Sequence, residues 1–168
     1  MYQSHFKFST PPFRNITRKS GDFLVPYHQD VFNLLKEKSQ QAGITGLFYH
    51  DSELLGQFND ALKSSSAVIS INAFPKLSAS SLLYKLNPSA KESKNKLQAV
   101  DAVLRQWRDS RATQKVLVIT HAEAMKNNSY DVLAMLLTRA QELDVRLSVI
   151  LMGSEDRETV LTDSALQE

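Results

Sequence analysis

Cysteine is absent from this sequence of 168 residues, and so is any long apolar run. The lack of cysteine excludes disulfide bonds, zinc sites built from thiolates and cysteine nucleophiles. It also fits a reducing compartment, so we expect a cytoplasmic protein. A helix that spans a bilayer needs roughly 20 apolar residues, and residues 1–13 lack the apolar stretch of a secretory signal. We therefore expect no direct membrane insertion.

A strong excess of one charge is also missing. The chain carries 20 Lys and Arg against 18 Asp and Glu, which leaves a formal net charge of +2. A surface for nucleic acid needs a contiguous basic face, whereas Lys and Arg are interspersed with acidic residues here. We therefore predict no nucleic-acid partner. No G-x-S-x-G elbow occurs either, so nothing indicates that class of hydrolase.

Four short apolar runs alternate with amphipathic segments. The runs predict strands at residues 44–49, 67–73, 115–120 and 145–152. The segments between and before them predict helices that begin at Pro26, at Asp51 or Ser52, near Ser78, after Ser89 and at Asn128 or Ser129. Such strands, separated by helices, are typical of a parallel sheet covered on both faces. We predict one α/β domain over residues 1–168, a three-layer sandwich whose mostly parallel sheet has four or five strands.

The same periodicity predicts which side chains face the core. It assigns Leu34 to the apolar stripe of the first helix and Leu97 to that of the long fourth helix. The run at 44–49 is apolar over most of its length, which indicates a buried strand.

The first 28 residues carry an ordered set of aromatic, proline and histidine positions. These are Met1, Tyr2, His5, Phe6, Phe8, Pro12 and Phe13, followed by Phe23, Leu24, Pro26 and His28. In this order they resemble the start of the ExeA/GspA-type general secretion pathway ATPases, which are P-loop NTPases of the AAA type. Residues 115–125 likewise resemble the Walker B segment of that family, and residues 146–153 its sensor strand. The resemblance implies an AAA-like P-loop NTPase fold, here with the helical lid domain absent.

The nucleotide site of that family is missing from the sequence. A P-loop reads G-x-x-x-x-G-K-[ST], and no glycine of this chain is followed by lysine. The acidic pair of Walker B aligns with Thr120 and His121, which cannot replace the carboxylates that place magnesium and the attacking water. The resemblance assigns the vestigial nucleotide-site positions to His50, Asp51, Ser52, Thr120, His121 and Glu123. We expect no catalysis, no cofactor and no metal.

Other roles for these residues stay open. If His50, Asp51, His121 and Glu123 converged, they would form a new acid–base or metal site. Their spacing is not that of a metal motif, so we favour a structural or solvated role for them. A residual nucleotide-binding regulator without hydrolysis would need a rebuilt phosphate cradle. A nucleic-acid-binding adaptor related to transposition ATPases would need a continuous basic face.

A fold that keeps its shape and lacks its catalytic groups predicts a protein-interaction or scaffolding module. Its candidate contacts are aromatic residues of the N-terminal segment and arginines near the end of the long helix, namely Tyr2, Phe6, Phe8, Phe13, Arg105, Arg108 and Arg111. The resemblance implies a protein partner, either an active ATPase of the same family or a component of a bacterial envelope machine. Such machines serve secretion, pilus assembly or polysaccharide export.

Overall fold

The computed structural model describes residues 26–49, 52–65, 68–89, 95–109 and 114–154. The helices are α1 (Pro26–Ser39), α2 (Ser52–Ser65), α3 (Ala79–Leu86), α4 (Lys96–Asp109) and α5 (Asn127–Glu142). The strands are β1 (Gly43–Tyr49), β2 (Val68–Asn72), β3 (Gln114–Thr120) and β4 (Arg146–Ser154), and a short 3-10 turn, Ala122–Ala124, follows β3. Among these described helices, none is long and apolar enough to cross a membrane.

The four strands form one parallel sheet in the order β1-β4-β3-β2. Because all strands are parallel, each connection must cross from one end of the sheet to the other, and helices provide these crossovers. The connection from β1 to β2 passes over β4 and β3, whereas the later connections run in the opposite direction along the sheet. The predicted α/β class with a parallel sheet is confirmed.

The two directions of crossover place helices on both faces of the sheet. Alternate side chains of β3 and β4 point to opposite faces. On one face, Val118 and Ile150 pack with Phe58 of α2 and Leu35 of α1. On the other face, a larger core joins the sheet to α3, α4 and α5, and its fully buried members include Leu104, Leu117, Leu133 and Leu136. The result is the predicted three-layer sandwich.

Side-chain caps mark where two of the helices begin. The Ser78 hydroxyl accepts a hydrogen bond from the Ser81 backbone N–H at 3.2 Å and caps α3. The Asn95 side-chain oxygen accepts from the Gln98 backbone N–H at 2.8 Å and caps α4. Both contacts satisfy an N–H that the helix itself leaves free. The long helix therefore begins at Lys96, later in the chain than the predicted start after Ser89.

Three predicted core positions are wrong. β1 lies at the edge of the described sheet and is only partly buried, with Ile44 37% exposed. Leu34 and Leu97 are 53% and 46% exposed, while Leu35 beside Leu34 is buried. The spacing of apolar residues shows that one side of a helix is apolar. It does not show how much of that side the neighbouring layer of the structure buries.

Candidate functional site

A crevice is expected at the carboxyl end of the sheet, above β4. The chain leaves β1 towards α2 on one face and leaves β3 towards α5 on the other, with β4 lying between these two strands. Open α/β sheets bind ligands at such a switch point. The residues that follow β1, β3 and β4 therefore decide what the crevice can hold.

The side chain of Glu123 lies at the carboxyl end of β4. One carboxylate oxygen, Oε2, accepts a hydrogen bond from the Ser154 backbone N–H at 3.4 Å. A Cβ atom added to Gly153 would lie 2.8 Å from that oxygen and 3.4 Å from the ring of Phe48. Because any side chain at position 153 would meet both the carboxylate and the ring, glycine is needed at this point of β4. The Glu123 side chain is 16% exposed.

His121 turns the chain so that Glu123 can reach the crevice. Its backbone has φ 56° and ψ 47°, the left-handed conformation that is uncommon for residues other than glycine. Its Nδ1 atom lies 3.4 Å from Oε1 of Glu123, and its ring centroid is 6.1 Å from that of Phe74. The imidazole is 44% exposed. The carboxylate therefore faces a polar ring on one side and the end of the sheet on the other.

Two buried hydroxyl groups of α5 bond to the two backbone segments that adjoin this helix. The Tyr130 hydroxyl donates to the Ala122 carbonyl at 2.9 Å, and the Ser129 hydroxyl donates to the Leu77 carbonyl at 2.7 Å. Burial, with a smaller contribution from the negative charge of Glu123, raises the pKa of Tyr130 to about 12. At neutral pH Tyr130 is thus a neutral donor that holds the 3-10 turn against α5.

The structure brings together only part of the predicted vestigial site. His121 and Glu123 lie together, and Thr120 ends β3 directly before them. Ser52 is the first residue of α2, while His50 and Asp51 lie outside the described residues. In the described part of the chain, no group of three His, Asp or Glu side chains could hold a metal ion.

Two of the predicted partner contacts can be located. Arg105 and Arg108 are exposed on α4, and Arg108 lies 3.8 Å from Asp109. Arg111 and the aromatic residues Tyr2, Phe6, Phe8 and Phe13 lie outside the described residues. The role of these contacts stays a prediction.

Sequence reasoning missed several residues at this end of the sheet. The sequence predicts that Phe48 lies in a strand over residues 44–49 and that Gly153 closes the strand over residues 145–152, but it does not predict that the Glu123 carboxylate approaches Gly153. Phe74 was not singled out, yet it is the most exposed large apolar side chain in the described residues, at 69%. A signal was available for Phe74, because an aromatic residue directly after a strand lies at the end where ligands bind.

The parallel sheet in the order β1-β4-β3-β2, with helices on both faces, defines an AAA-like α/β fold. Solved structures agree with this class. Cdc6 from Pyrobaculum aerophilum aligns with TM-score 0.65 and 13% identity, over 90% of this chain and 44% of that chain. A chain of Drosophila ORC bound to DNA aligns with TM-score 0.57 and 14% identity, over 82% and 81% of the two chains. Drosophila ORC bound to GC-rich DNA and Cdc6 gives TM-score 0.51 and 15% identity, over 88% and 57%.

These similarities concern the fold. No protein-family model and no curated protein matches the sequence. The chain spans 44% of the Cdc6 chain and 57% of the chain in the complex with GC-rich DNA. The neighbours show an AAA-like α/β fold, and membership of the P-loop ATPases and of their ExeA/GspA group stays a prediction.

The comparisons overturn one prediction. We expected no nucleic-acid partner because the overall charge is mixed, but structural neighbours with this fold are chains of ORC complexes bound to DNA. The exclusion of nucleic acid is therefore wrong. A net charge averages over the whole chain and does not describe the charge of any one surface.

Proposed function

We propose that this chain is an AAA-like module that binds another macromolecule and does not hydrolyse ATP. The observation that carries the proposal is the position of Glu123, whose carboxylate contacts the end of β4 where the crevice opens. Thr120 and His121, which align with the Walker B carboxylates, cannot place magnesium or the attacking water, and the carboxylate of Glu123 is engaged with the Ser154 backbone N–H. The absence of any Gly-Lys pair supports the same conclusion.

The connection from β1 to α2 supports the proposal independently. β1 ends at Tyr49 and α2 begins at Ser52, so only residues 50 and 51 join them. A phosphate cradle needs several successive backbone N–H groups that point at one position. Two connecting residues offer too few of them for a P-loop.

We expect that ATP with magnesium does not stabilise the protein. A ligand at 100 times its dissociation constant adds about 2.7 kcal/mol to the free energy of unfolding, which corresponds to a rise in melting temperature of about 5–10 °C for a domain of this size. A thermal-shift titration to millimolar ATP should show no such rise. A saturable rise without phosphate release would favour the residual nucleotide-binding regulator, and release of phosphate would refute the proposal.

The proposed partner is a protein, and the resemblance to ExeA/GspA ATPases suggests the setting of an envelope machine. Of the predicted contact residues, Arg105 and Arg108 lie in the described structure and are exposed on α4. Arginine is enriched in protein interfaces, which supports a role for them in binding a protein partner. We expect an Arg105→Glu/Arg108→Glu variant to lose a partner that the wild type recovers from the native cell.

The control for this experiment is Lys36→Glu/Lys38→Glu, which makes the same change of charge on α1. Both variants must first give the wild-type circular dichroism spectrum. If both retain the partner equally, α4 is not the docking surface. If both lose it equally, the effect is one of net charge and the arginines have no specific role.

A second candidate function is a nucleic-acid-binding adaptor. The observation that favours it is the fold shared with ORC chains whose structures contain DNA. An adaptor of this kind needs no hydrolysis, so it is compatible with the lack of a P-loop.

A further inference from the structure

Phe74 is an exposed residue on a loop whose backbone is fixed by hydrogen bonds. The Ala73 backbone N–H donates to the Thr120 carbonyl at 2.9 Å, and the Phe74 N–H donates to the Asn72 side-chain oxygen at 2.9 Å. The ring itself is 69% exposed. Single exposed apolar side chains are ordinary on protein surfaces, so the meaning of Phe74 depends on its surroundings.

Three lysines lie on the segments that adjoin this loop. Leu77 and Met125 form an isolated parallel bridge, in which the Lys126 backbone N–H donates to the Leu77 carbonyl at 2.9 Å. Leu77 and Met125 are both buried, so their neighbours Lys76 and Lys126 extend to the solvent side of the bridge. A third ammonium group comes from α3, where Lys85 Nζ donates to the Asn72 carbonyl at 3.1 Å.

The charge of this surface is not balanced by carboxylates. No Asp or Glu occurs between Asp60 and Glu92, although this stretch contains four lysines. Within the described residues, Lys76, Lys85 and Lys126 form no ion pair. Other basic side chains do: Arg139 bonds to Asp101 and Glu142, and Lys63 lies 3.5 Å from Asp60.

Two acidic residues lie near this surface, against its three lysines. They are Glu123, whose carboxylate lies 3.4 Å from His121 Nδ1 and accepts from the Ser154 backbone N–H, and Asp131 in the first turns of α5. Lys126 also occupies the N-cap of α5 and forms no side-chain cap. A positive charge is unfavourable at the positive end of a helix dipole, so this arrangement favours an anion there.

We propose that the Phe74 surface, defined as Phe74, Lys76, Lys85 and Lys126, binds single-stranded nucleic acid. A base stacks on the exposed ring of Phe74, while Lys76 and Lys126 contact the phosphates on either side. A single strand is the fitting partner because its bases are free to stack on a side chain, whereas a duplex buries their faces. The inference rests on the second candidate function and assigns it to particular residues.

The test measures fluorescence anisotropy of labelled oligothymidylate and of a duplex of equal length. We expect the wild type to bind the single strand more tightly than the duplex. The Phe74→Ala variant should bind the single strand about 10-fold more weakly, the effect of losing one stacked base. The Lys76→Ala/Lys126→Ala variant should bind more weakly and show a smaller dependence of affinity on salt concentration.

Matched controls come from α1 on the opposite face of the sheet. Leu34→Ala removes an exposed apolar side chain, and Lys36→Ala/Lys38→Ala removes the same charge. If the wild type binds neither DNA, the nucleic-acid function and the surface both fail. If it binds but Phe74→Ala binds equally well, or the controls weaken binding equally, the surface is wrong and the function stands. Tighter binding of a polyglutamate peptide than of oligothymidylate, with the same residues required, would overturn the proposal in favour of an acidic protein partner.

Discussion

Replacing Phe58 with alanine is expected to lower the free energy of unfolding by about 3–5 kcal/mol, the usual cost of removing a buried aromatic ring. Phe58 lies on α2 and is 0% exposed. It packs in the smaller core, and its ring centroid is 6.3 Å from that of Tyr49 in an edge arrangement. This core is what attaches α1 and α2 to the sheet. A loss of that size is a large part of the roughly 5–15 kcal/mol by which a domain is stable.

Urea unfolding of wild type and Phe58→Ala measures the difference. Leu34→Ala serves as the control, since Leu34 is 53% exposed on α1 of the same layer and its truncation should cost less than about 0.5 kcal/mol. Equal costs for the two variants would show that α2 does not pack on the sheet as described.

The second large effect concerns Tyr130 and alkaline pH. Burial raises the pKa of Tyr130 from its ordinary value of 10.0 to about 12. Below pH 10 the phenol is protonated in the folded and the unfolded chain, so its contribution is complete. Above pH 10 the unfolded chain loses this proton first, and the free energy of unfolding falls as pH rises towards 12. Two pKa units correspond to about 2.7 kcal/mol at most.

The Tyr130→Phe variant isolates this contribution. At pH 8 it should be about 1 kcal/mol less stable than wild type, because the Ala122 carbonyl loses its hydrogen-bond donor. As pH rises above 10, the wild type should lose this advantage, because the variant has no phenol at this position to ionise. Urea unfolding of both proteins between pH 8 and 12 measures the change. Parallel curves for the two proteins would contradict a raised pKa at Tyr130.

Local pattern was sufficient to predict most of the fold. The apolar runs around β3 and β4 become central strands with buried side chains on both faces, as continuous apolar runs do in parallel sheets. Ser78 caps α3 near the predicted start of that helix. These features depend on residues close together in the chain, so sequence spacing carries the information.

Features that depend on distant residues were harder to predict. β1 was expected to be buried, but it lies at the sheet edge and Ile44 remains 37% exposed. Its run of residues cannot specify whether it has one neighbouring strand or two. The charge pattern was incomplete for a related reason, since Lys76 and Lys126 are 50 positions apart and their segments become neighbours only when the Leu77–Met125 bridge forms.

By itself, the sequence determined the α/β alternation, the parallel sheet and the lack of a Gly-Lys pair for phosphates. Each of these follows from residue type and short spacing, which set the period of a helix or strand and the chemistry of a loop. Only the tertiary structure decided that Glu123 meets Ser154, which is 31 positions away, and that Phe74 is exposed to solvent. Such contacts depend on which strands become neighbours, and the order β1-β4-β3-β2 is a property of the packed sheet as a whole.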